Sequence, residues 1–222
     1  MVRTTKVLQE RGIFVNRKRV GKLLHELGLY AKGSTYKYKY HNRKRPSLYH
    51  PNLINQTFKA TEKNKIWLGD ITYIPLQKGT LYLAVFIDVY TRKIVGWSMS
   101  SRMKDQLVLD AFIQAIGKER PHKGLIIHTD QGSQYTSSRF QSALREKNFV
   151  SSMSRKGNPY DNALMESFYK TIKRELINDS DFKDIDQAQM EIFKYIETYY
   201  NTKRIHSSLN YKSPRDFEKC SH

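Results

Sequence analysis

Runs of apolar, β-branched and aromatic residues, divided by turn residues, occupy the middle of the chain. The first three runs, 66–76, 80–90 and 93–100, are joined only by short turns, which predicts an antiparallel meander. The periodicity then changes to alternating helices and strands over four further segments: 104–117, 124–129, 138–147 and 149–153. This order is typical of an α/β fold with a mixed five-stranded sheet flanked by helices.

Helical patterns begin the chain. Val2 to Glu10 predicts a short helix, and Asn16 is a suitable N-cap for a second, amphipathic helix that Gly28 ends. The apolar face of the second helix is expected to hold Val20, Leu23, Leu24 and Leu27. Two short helices around a turn are similar to half of a helix-turn-helix module, and an ordinary amphipathic hairpin gives the same pattern.

The spacing also predicts a late helix over 163–177 and a closing helix over 184–200, before a polar, irregular tail. The core face of the late helix recurs every four residues: Leu164, Phe168, Ile172 and Leu176. Glu166, Lys170 and Lys173 share another stripe. They form either an ordinary solvated ion pair or a metal ligand beside phosphate-binding lysines.

Positive charge is concentrated at the start of the chain. The 39 Lys and Arg residues against 21 Asp and Glu give a formal net charge of +18, and residues 1–65 hold 16 of the former and 3 of the latter. A basic arm before a nearly neutral body is typical of binding to a nucleic-acid backbone, with a solvated tail or an anionic membrane surface as alternatives. Tyrosines alternate with basic residues over 36–45, which indicates either a strand-binding surface or a basic tether. The DNA contacts expected in this arm are Arg17, Lys18, Lys37, Lys39, Arg43, Lys44 and Arg45.

Composition excludes several kinds of protein. Cys220 is the only cysteine, so the chain has no disulfide framework and no cysteine-based zinc site, which suits a reducing cytoplasm. No apolar run approaches the roughly 20 residues that span a bilayer, and the N-terminus lacks the apolar core of a signal peptide. We therefore expect a cytoplasmic protein with no membrane partner.

Two predicted strands and the late helix each carry a candidate catalytic acid. Asp70 lies inside the first apolar run, Asp130 directly follows the fourth strand, and Glu166 lies on the late helix. A carboxylate within a sheet is costly unless its charge is compensated. A pair of divalent metal ions shared by these acids would supply that compensation, which is the active-site hypothesis.

Three other polar residues are expected to have structural roles. Asp88 ends a strand and should cap the turn that follows, and Asp161 should cap the late helix. His128 lies two residues before Asp130, on the same strand face. It is expected first as a packing or hydrogen-bonding residue and only second as a metal ligand.

Four motifs, in order and at their spacings, resemble a known family. They are WLGDITY at 67–73, HTDQGSQY at 128–135, DNALMESF at 161–168 and YNTKRIHS at 200–207, and thirty-five residues separate Asp130 from Glu166. The chain resembles the DDE catalytic core of retroviral integrases and bacterial insertion-sequence transposases. The motifs are most similar to the second-reading-frame (OrfB) transposases, over about Val15 to Phe217. The resemblance implies a ribonuclease H-like fold.

The resemblance implies a DNA transposase that cleaves and joins strands at insertion-sequence ends, with Asp70, Asp130 and Glu166 as metal-ligating catalytic residues. It implies two Mg²⁺ ions, for which Mn²⁺ substitutes, and no covalent protein–DNA intermediate. Further DNA contacts expected near this site are Lys170, Lys173, Arg174, Arg155 and Lys156. The implied partners are double-stranded DNA, further copies of the chain on that DNA and a first-reading-frame transposon protein, in a bacterial cytoplasm at the nucleoid.

We expect four segments along the chain. They are a partial helix-turn-helix at 1–30, a basic aromatic linker at 31–62, an integrase-type catalytic core at 63–180, and a C-terminal helix with a basic tail at 181–222. On the residues alone, two alternative functions stay open. One is a ribonuclease H-like nuclease that cuts and never joins, and the other is a catalytically inactive, transposon-derived DNA-binding protein.

Overall fold

The structure is a computed structural model, which describes residues 2–29, 50–155 and 158–220. Its first elements are two short helices, α1 (Val2–Glu10) and α2 (Arg17–Glu26). The Asn16 side chain caps α2 by accepting a hydrogen bond from the backbone of Arg19 at 2.9 Å. Gly28 follows α2 with a φ of +67°, which glycine adopts without steric cost. Both predicted helices, the N-cap and the helix stop are confirmed.

The apolar face of α2 is less covered than its pattern predicts. Val20 is buried, whereas Leu23 and Leu27 are 39% and 71% exposed. Among the described residues, α1 is the main neighbour of this helix, and a single short helix cannot cover a whole apolar stripe. The predicted core face is therefore correct for Val20 and wrong for these two leucines.

The central sheet has five strands in the order β3-β2-β1-β4-β5. The strands are β1 (Ile66–Pro75), β2 (Thr80–Asp88), β3 (Ile94–Ser100), β4 (Ile126–Thr129) and β5 (Val150–Met153). The first three form an antiparallel meander, and β4 and β5 run parallel to β1. The five predicted strands are confirmed, and the central position of β1 places it directly beside β4.

One face of the sheet is covered by α3 (Asp105–Glu119) and α4 (Ser138–Glu146). An aromatic cluster fills this layer, in which the rings of Phe86 and Phe140 stack with centroids 6.3 Å apart. Gly96 of β3 allows α3 to approach closely, since a Cβ there would lie 2.3 Å from a backbone oxygen of that helix. This layer holds the sheet from the side opposite to the late helix.

The other face is covered by α5 (Ala163–Glu175) and α6 (Ile185–Phe193), and α6 continues as a π-helical segment, Lys194–Tyr200. The predicted core face of α5 is confirmed for Phe168 and Ile172, which are buried, while Leu164 and Leu176 are partly buried against the same core. This layer carries Glu166 and sets its position relative to the strands.

The C-terminal segment is more regular than predicted. A 3₁₀ turn, Ser207–Leu209, precedes a short helix, α7 (Pro214–Lys219). Ser213 caps α7 and Pro214 occupies its first turn, a combination that favours a helix start. The predicted irregular tail is wrong for this segment because the Ser213 cap and Pro214 start a helix within a polar sequence. The Asn201 amide fastens the segment to the sheet through two hydrogen bonds with the Ile94 backbone, at 2.8 and 2.9 Å.

Candidate active site

Neighbouring parallel strands bring Asp70 and Asp130 together. The β1–β4 ladder ends at the pair Gly69 and Thr129, and each acid is the next residue along its own strand. Because the strands are parallel, the two acids leave the ladder at the same level. Their proximity is visible in the electrostatics, since burial raises the pKa of Asp70 well above its usual range and the Asp130 carboxylate raises it further.

Hydrogen bonds orient both carboxylates. Asp70 accepts one from its neighbour Ile71 N at 2.8 Å and one from Asn162 Nδ2 at 2.8 Å. Asp130 accepts one from Gly132 N at 2.9 Å, and a Cβ on that glycine would lie 2.9 Å from the same carboxylate oxygen. Asp130 as a whole residue is exposed. Its carboxyl group is nevertheless desolvated by the surrounding protein, and this desolvation raises its pKa.

No Lys or Arg of the described ranges lies within ion-pair distance of either aspartate, so their charges are met only by neutral donors. A pair of close carboxylates without a cationic side chain is a donor set suited to a hard divalent cation. The acids that the sequence predicts on β1 and after β4 are thus adjacent.

Glu166 lies on α5 near this pair without joining it. Its carboxylate is near enough to raise the pKa of Asp70, less strongly than burial or Asp130 does. Its side chain is 33% exposed and lies 3.6 Å from Lys170 Nζ, beside a cavity of about 610 Å³. Within the described residues, no three His, Cys, Asp or Glu side chains converge on one possible metal position. The third member of the predicted site therefore stays a prediction.

Asp161 anchors the loop that leads into α5. Its fully buried carboxylate accepts hydrogen bonds from Arg155 N at 2.8 Å, Arg155 Nε at 3.0 Å and Gln56 Nε2 at 3.1 Å. The Arg155 side chain holds the pKa of Asp161 well below its usual range. The prediction that Asp161 caps α5 is wrong, because Asn162 is the N-cap residue of that helix and the Asp161 carboxylate is occupied by Arg155 and Gln56.

Two residues that no sequence-based assignment covers fasten Asp70 to α5. Asn162 donates to its carboxylate, and Tyr169 Oη donates to its backbone oxygen at 2.6 Å. Asn162 Oδ1 is buried and has no hydrogen-bond partner among the described residues. The spacing of four residues between Asn162 and Glu166 was the available signal, since it places both on one helix face.

The structural role predicted for His128 is confirmed. Its ring nitrogens lie 2.8 Å from Ser152 Oγ and 3.0 Å from Ser154 Oγ, and Nε2 is 3.1 Å from the Asp161 carbonyl oxygen. Burial lowers the pKa of His128 to about 4, which keeps the imidazole neutral near pH 7. The ring therefore ties β4 to β5 and to the anchored loop.

The predicted turn cap at Asp88 is also confirmed. The carboxylate accepts hydrogen bonds from Thr91 N at 2.7 Å, Thr91 Oγ1 at 2.9 Å and Asn64 N at 2.7 Å. These bonds stabilise the β2–β3 turn and leave the carboxylate remote from the active-site pair.

The predicted DNA contacts lie in several environments. Arg17, Lys18, Lys170 and Arg155 are exposed. Lys173 Nζ lies over the Tyr73 ring, 4.5 Å from its centre, and Arg174 lines the cavity beside Glu166. Arg155 is bound to Asp161. Lys37, Lys39, Arg43, Lys44, Arg45 and Lys156 fall outside the described residues. In the parts of the chain that the structure describes, no helix has the length and apolarity to cross a membrane.

Comparison with protein families and relatives gives consistent matches. Two models of the Integrase core domain match residues 60–159 and 149–214. The transposase for insertion sequence element IS904 of Lactococcus lactis subsp. lactis (strain IL1403) is 72% identical over 218 residues, which are 98% of this chain and 86% of that protein. The transposase InsF for insertion sequence IS3A of Escherichia coli (strain K12) is 40% identical over 216 residues, 97% of this chain and 75% of that protein.

Solved structures of similar fold are retroviral integrases. The HTLV-2 integrase catalytic core domain in complex with magnesium (trimeric form) has a TM-score of 0.56 at 20% identity, over 72% of this chain and 99% of that one. A chain of the simian T-cell lymphotropic virus intasome in complex with PP2A regulatory subunit B56 gamma has a TM-score of 0.59 at 18% identity, over 96% of this chain and 70% of that one. These likenesses confirm the ribonuclease H-like fold. The identity to transposases over nearly its whole length shows that this chain belongs to the insertion-sequence transposases, which are DDE polynucleotidyl transferases with an integrase core.

Proposed function

We propose that this transposase cleaves and joins DNA strands at the ends of its insertion sequence with Asp70, Asp130 and Glu166 as metal-ligating catalytic carboxylates. The observation that supports the assignment best is the aspartate pair. Two carboxylates lie side by side on adjacent strands, burial raises the pKa of each, and neither has an ion-pair partner within the described ranges. Such a pair is stable only if protonated or if a cation binds.

The donor set fits divalent cations. Carboxylate oxygens are the ligands that Mg²⁺ prefers, and a cation would offset the repulsion that Asp130 exerts on Asp70. The aspartates would hold the cation from the sheet, and Glu166 would complete the set from α5. When bound, two such ions, Mg²⁺ or its substitute Mn²⁺, supply activation of the attacking oxygen and stabilisation of the leaving oxygen in an in-line displacement at phosphorus.

Other residues of the chain orient the three acids and contact the DNA. Asn162 and the Gly132 backbone hold the two aspartates in fixed orientations, so little reorganisation is needed when DNA arrives. Glu166 is restrained mainly by its exposed pair with Lys170, and such a pair is worth only about 0.3–0.5 kcal/mol. That restraint is weak enough for Glu166 to turn towards the aspartates. Lys170 is then released towards a DNA phosphate.

The proposal also includes the DNA-contacting residues, the partners and the segments that the sequence predicts. Lys170 and Arg174 line the cavity beside Glu166, where they would contact the DNA backbone together with Lys173, Arg155 and Lys156 and the basic residues before position 50. The partners would be element-end and target DNA, further copies of the chain and a first-reading-frame protein, at the bacterial nucleoid. The four segments 1–30, 31–62, 63–180 and 181–222 remain our proposed division. The packing of α6 against the α5 layer supports its last boundary as a completion of the core.

The test is Asp130→Asn, assayed on duplex DNA carrying the element end with Mg²⁺. Cleavage should fall on the order of 10³-fold, because losing a ligand removes several kcal/mol of charge stabilisation at the reacting phosphate. DNA binding should survive. Asp186→Asn, at an exposed position on α6, is the matched control and should retain cleavage. Retained cleavage in Asp130→Asn would remove this residue from the site.

Supplying a pre-cleaved 3′ end separates the possible activities. A transposase converts that end into joined product in the presence of Mg²⁺. A nuclease of the same fold would cut intact DNA and leave the pre-cleaved end unjoined. Metal-independent binding with neither product would identify an inactive DNA-binding protein.

A further inference from the structure

A second cavity, of about 390 Å³, lies next to the cavity that holds Glu166. The two share Ala163, Ser167 and Thr171 of α5, so they form one continuous surface across this helix. Away from Glu166 the lining becomes basic and hydroxyl-rich, and we call this part the arginine pocket: Arg3, Arg92, Arg204, His206, Ser207 and Ser208. These residues come from α1, the β2–β3 turn and the C-terminal segment.

One carboxylate behind the pocket serves two of the arginines. Glu175 accepts hydrogen bonds from Arg204 Nε at 2.8 Å and Nη2 at 2.9 Å. The same carboxylate lies 3.4 Å from Arg3 Nη1. The single negative charge of Glu175 therefore neutralises only one of these two guanidinium groups. Together the three side chains keep a net charge of +1, and Arg92 adds a further positive charge.

Arg92 has no acidic partner within ion-pair distance in the described ranges. It donates from Nη2 to the Phe58 backbone oxygen at 3.3 Å. Asp88, which acts on Arg92 electrostatically, instead accepts its short hydrogen bonds from Thr91 and Asn64. A partly buried guanidinium without a counterion is costly, and burial accordingly lowers the pKa of Arg92. Arg92 therefore adds a positive charge to the pocket that no described carboxylate pairs with.

The surroundings of His206 contain the same excess of positive charge. Burial and the positive charges of Arg204, Arg3 and Arg92 lower its pKa to about 3. Its ring lies 3.4 Å from Arg204 Nη1 and is neutral near pH 7, so it adds no positive charge of its own. Three guanidinium groups, those of Arg3, Arg92 and Arg204, thus act on a neutral ring in the same pocket, an arrangement suited to binding an anion.

We propose that the arginine pocket binds a backbone phosphate of the DNA strand that crosses α5 beside the active site, with Arg92 as the principal donor. The Ser207 and Ser208 hydroxyls lie at the exposed mouth and supply further hydrogen bonds. Guanidinium groups match phosphate oxygens in two-point hydrogen bonds, and contacts of this kind position a duplex without reading its sequence. The inference rests on the proposed function, because it takes the ligand to be the DNA held next to Glu166.

The test is the salt dependence of DNA binding by the full chain, measured by fluorescence anisotropy with a labelled duplex and without divalent cations. Arg92→Asn is the informative variant, because Arg92 has a φ of +60°, a conformation that asparagine tolerates well. The slope of the logarithm of affinity against the logarithm of salt concentration should fall by about one unit. Lys147→Gln removes an equal charge at the end of α4, on the opposite face of the sheet, and should leave the slope unchanged.

A second variant covers the case in which Arg92→Asn fails to fold. Ser207→Asp places a carboxylate beside Arg92 from an exposed position and should reduce the slope similarly, whereas Asn148→Asp adds the same charge beyond α4 and should not. An unchanged slope in a folded Arg92→Asn or Ser207→Asp protein overturns the proposal.

Inorganic phosphate at constant ionic strength separates the two sources of a phosphate group. If phosphate raises the melting temperature of the parent and not of Arg92→Asn, while the DNA slope is equal in both, the pocket binds a free anion and the assignment to a DNA strand is overturned. The DNA-binding assay involves no catalysis. Its result can therefore be interpreted even if Asp130→Asn retains cleavage.

Discussion

The proposed active site combines two regions that are held in place by different means. Asp70 lies on β1 and Asp130 directly follows β4. Ladder hydrogen bonds fix the backbone up to each acid, and short bonds orient the carboxylates. Glu166 lies on a helix that side chains attach to the sheet, and its own carboxylate is 33% exposed. The sheet thus presents two acids in position, whereas the third depends on the loop before α5. Substitutions in the loop before α5 should therefore alter the site while leaving the sheet intact.

The largest effect is expected from releasing the loop that Asp161 anchors. Asp161→Asn keeps the shape of the side chain but turns an amide group towards the donors of Arg155 and Gln56. Hydrogen bonds to a charged group are worth about 1.5–3 kcal/mol, so the free energy of unfolding should fall by about that amount. Chemical denaturation measures this loss, and Asp186→Asn serves as the exposed control. A variant as stable as the parent would contradict the anchor.

The same anchor predicts a pH dependence. Arg155 holds the pKa of Asp161 well below its ordinary value of 3.8, so the folded protein keeps this carboxylate ionised where the unfolded chain takes up a proton. Its contribution to stability is complete above about pH 5 and is lost as the pH falls through and below the unfolded pKa. The stability difference between the parent and Asp161→Asn should therefore shrink on acidification. A constant difference would show that the ion pair contributes nothing.

A smaller effect is expected where α5 touches the aspartates. Asn162→Ala removes the hydrogen bond to Asp70 Oδ2 and leaves only the bond from Ile71 N to orient the carboxylate. Partners that orient a metal ligand typically contribute about 10–100-fold in metal affinity, so the Mg²⁺ concentration for half-maximal cleavage should rise by that factor. Asn158→Ala, in the same loop, removes only a bond to Tyr160 N and is the matched control. Equal Mg²⁺ dependence in both variants would exclude Asn162 as a positioning residue.

The smallest effect on stability is expected for the exposed side of the helix. Lys170→Gln removes a pair with Glu166 worth about 0.3–0.5 kcal/mol, so the melting temperature should hardly change. The salt slope of DNA binding should nevertheless fall by about one unit, because a phosphate contact is lost. A clear loss of stability with an unchanged slope would make the lysine a structural residue.

The same division separates what the sequence could predict from what it could not. The strands carrying Asp70 and Asp130 follow from local apolar runs and turn residues, and the motif spacing indicates Glu166 on its helix. The role of Asp161 does not follow from the sequence, because a helix-cap pattern considers only the helix start, whereas the partners Arg155 and Gln56 lie outside it, Gln56 at a separation of 105 residues. The arginine pocket does not follow from the sequence for the same reason, since Arg3, Arg92 and Arg204 meet only after folding.

We propose that Glu166 joins the aspartate pair when cation and DNA are present. Binding of Mn²⁺ to the protein–DNA complex, followed by the electron paramagnetic resonance signal of the free ion, tests it most directly in the parent, Asp130→Asn and Glu166→Gln. The account predicts that both variants bind Mn²⁺ at least about 10-fold more weakly than the parent, as expected when a carboxylate ligand is lost. Parental affinity in Glu166→Gln, with weak binding in Asp130→Asn, would show that the site consists of the two aspartates alone and would contradict the account.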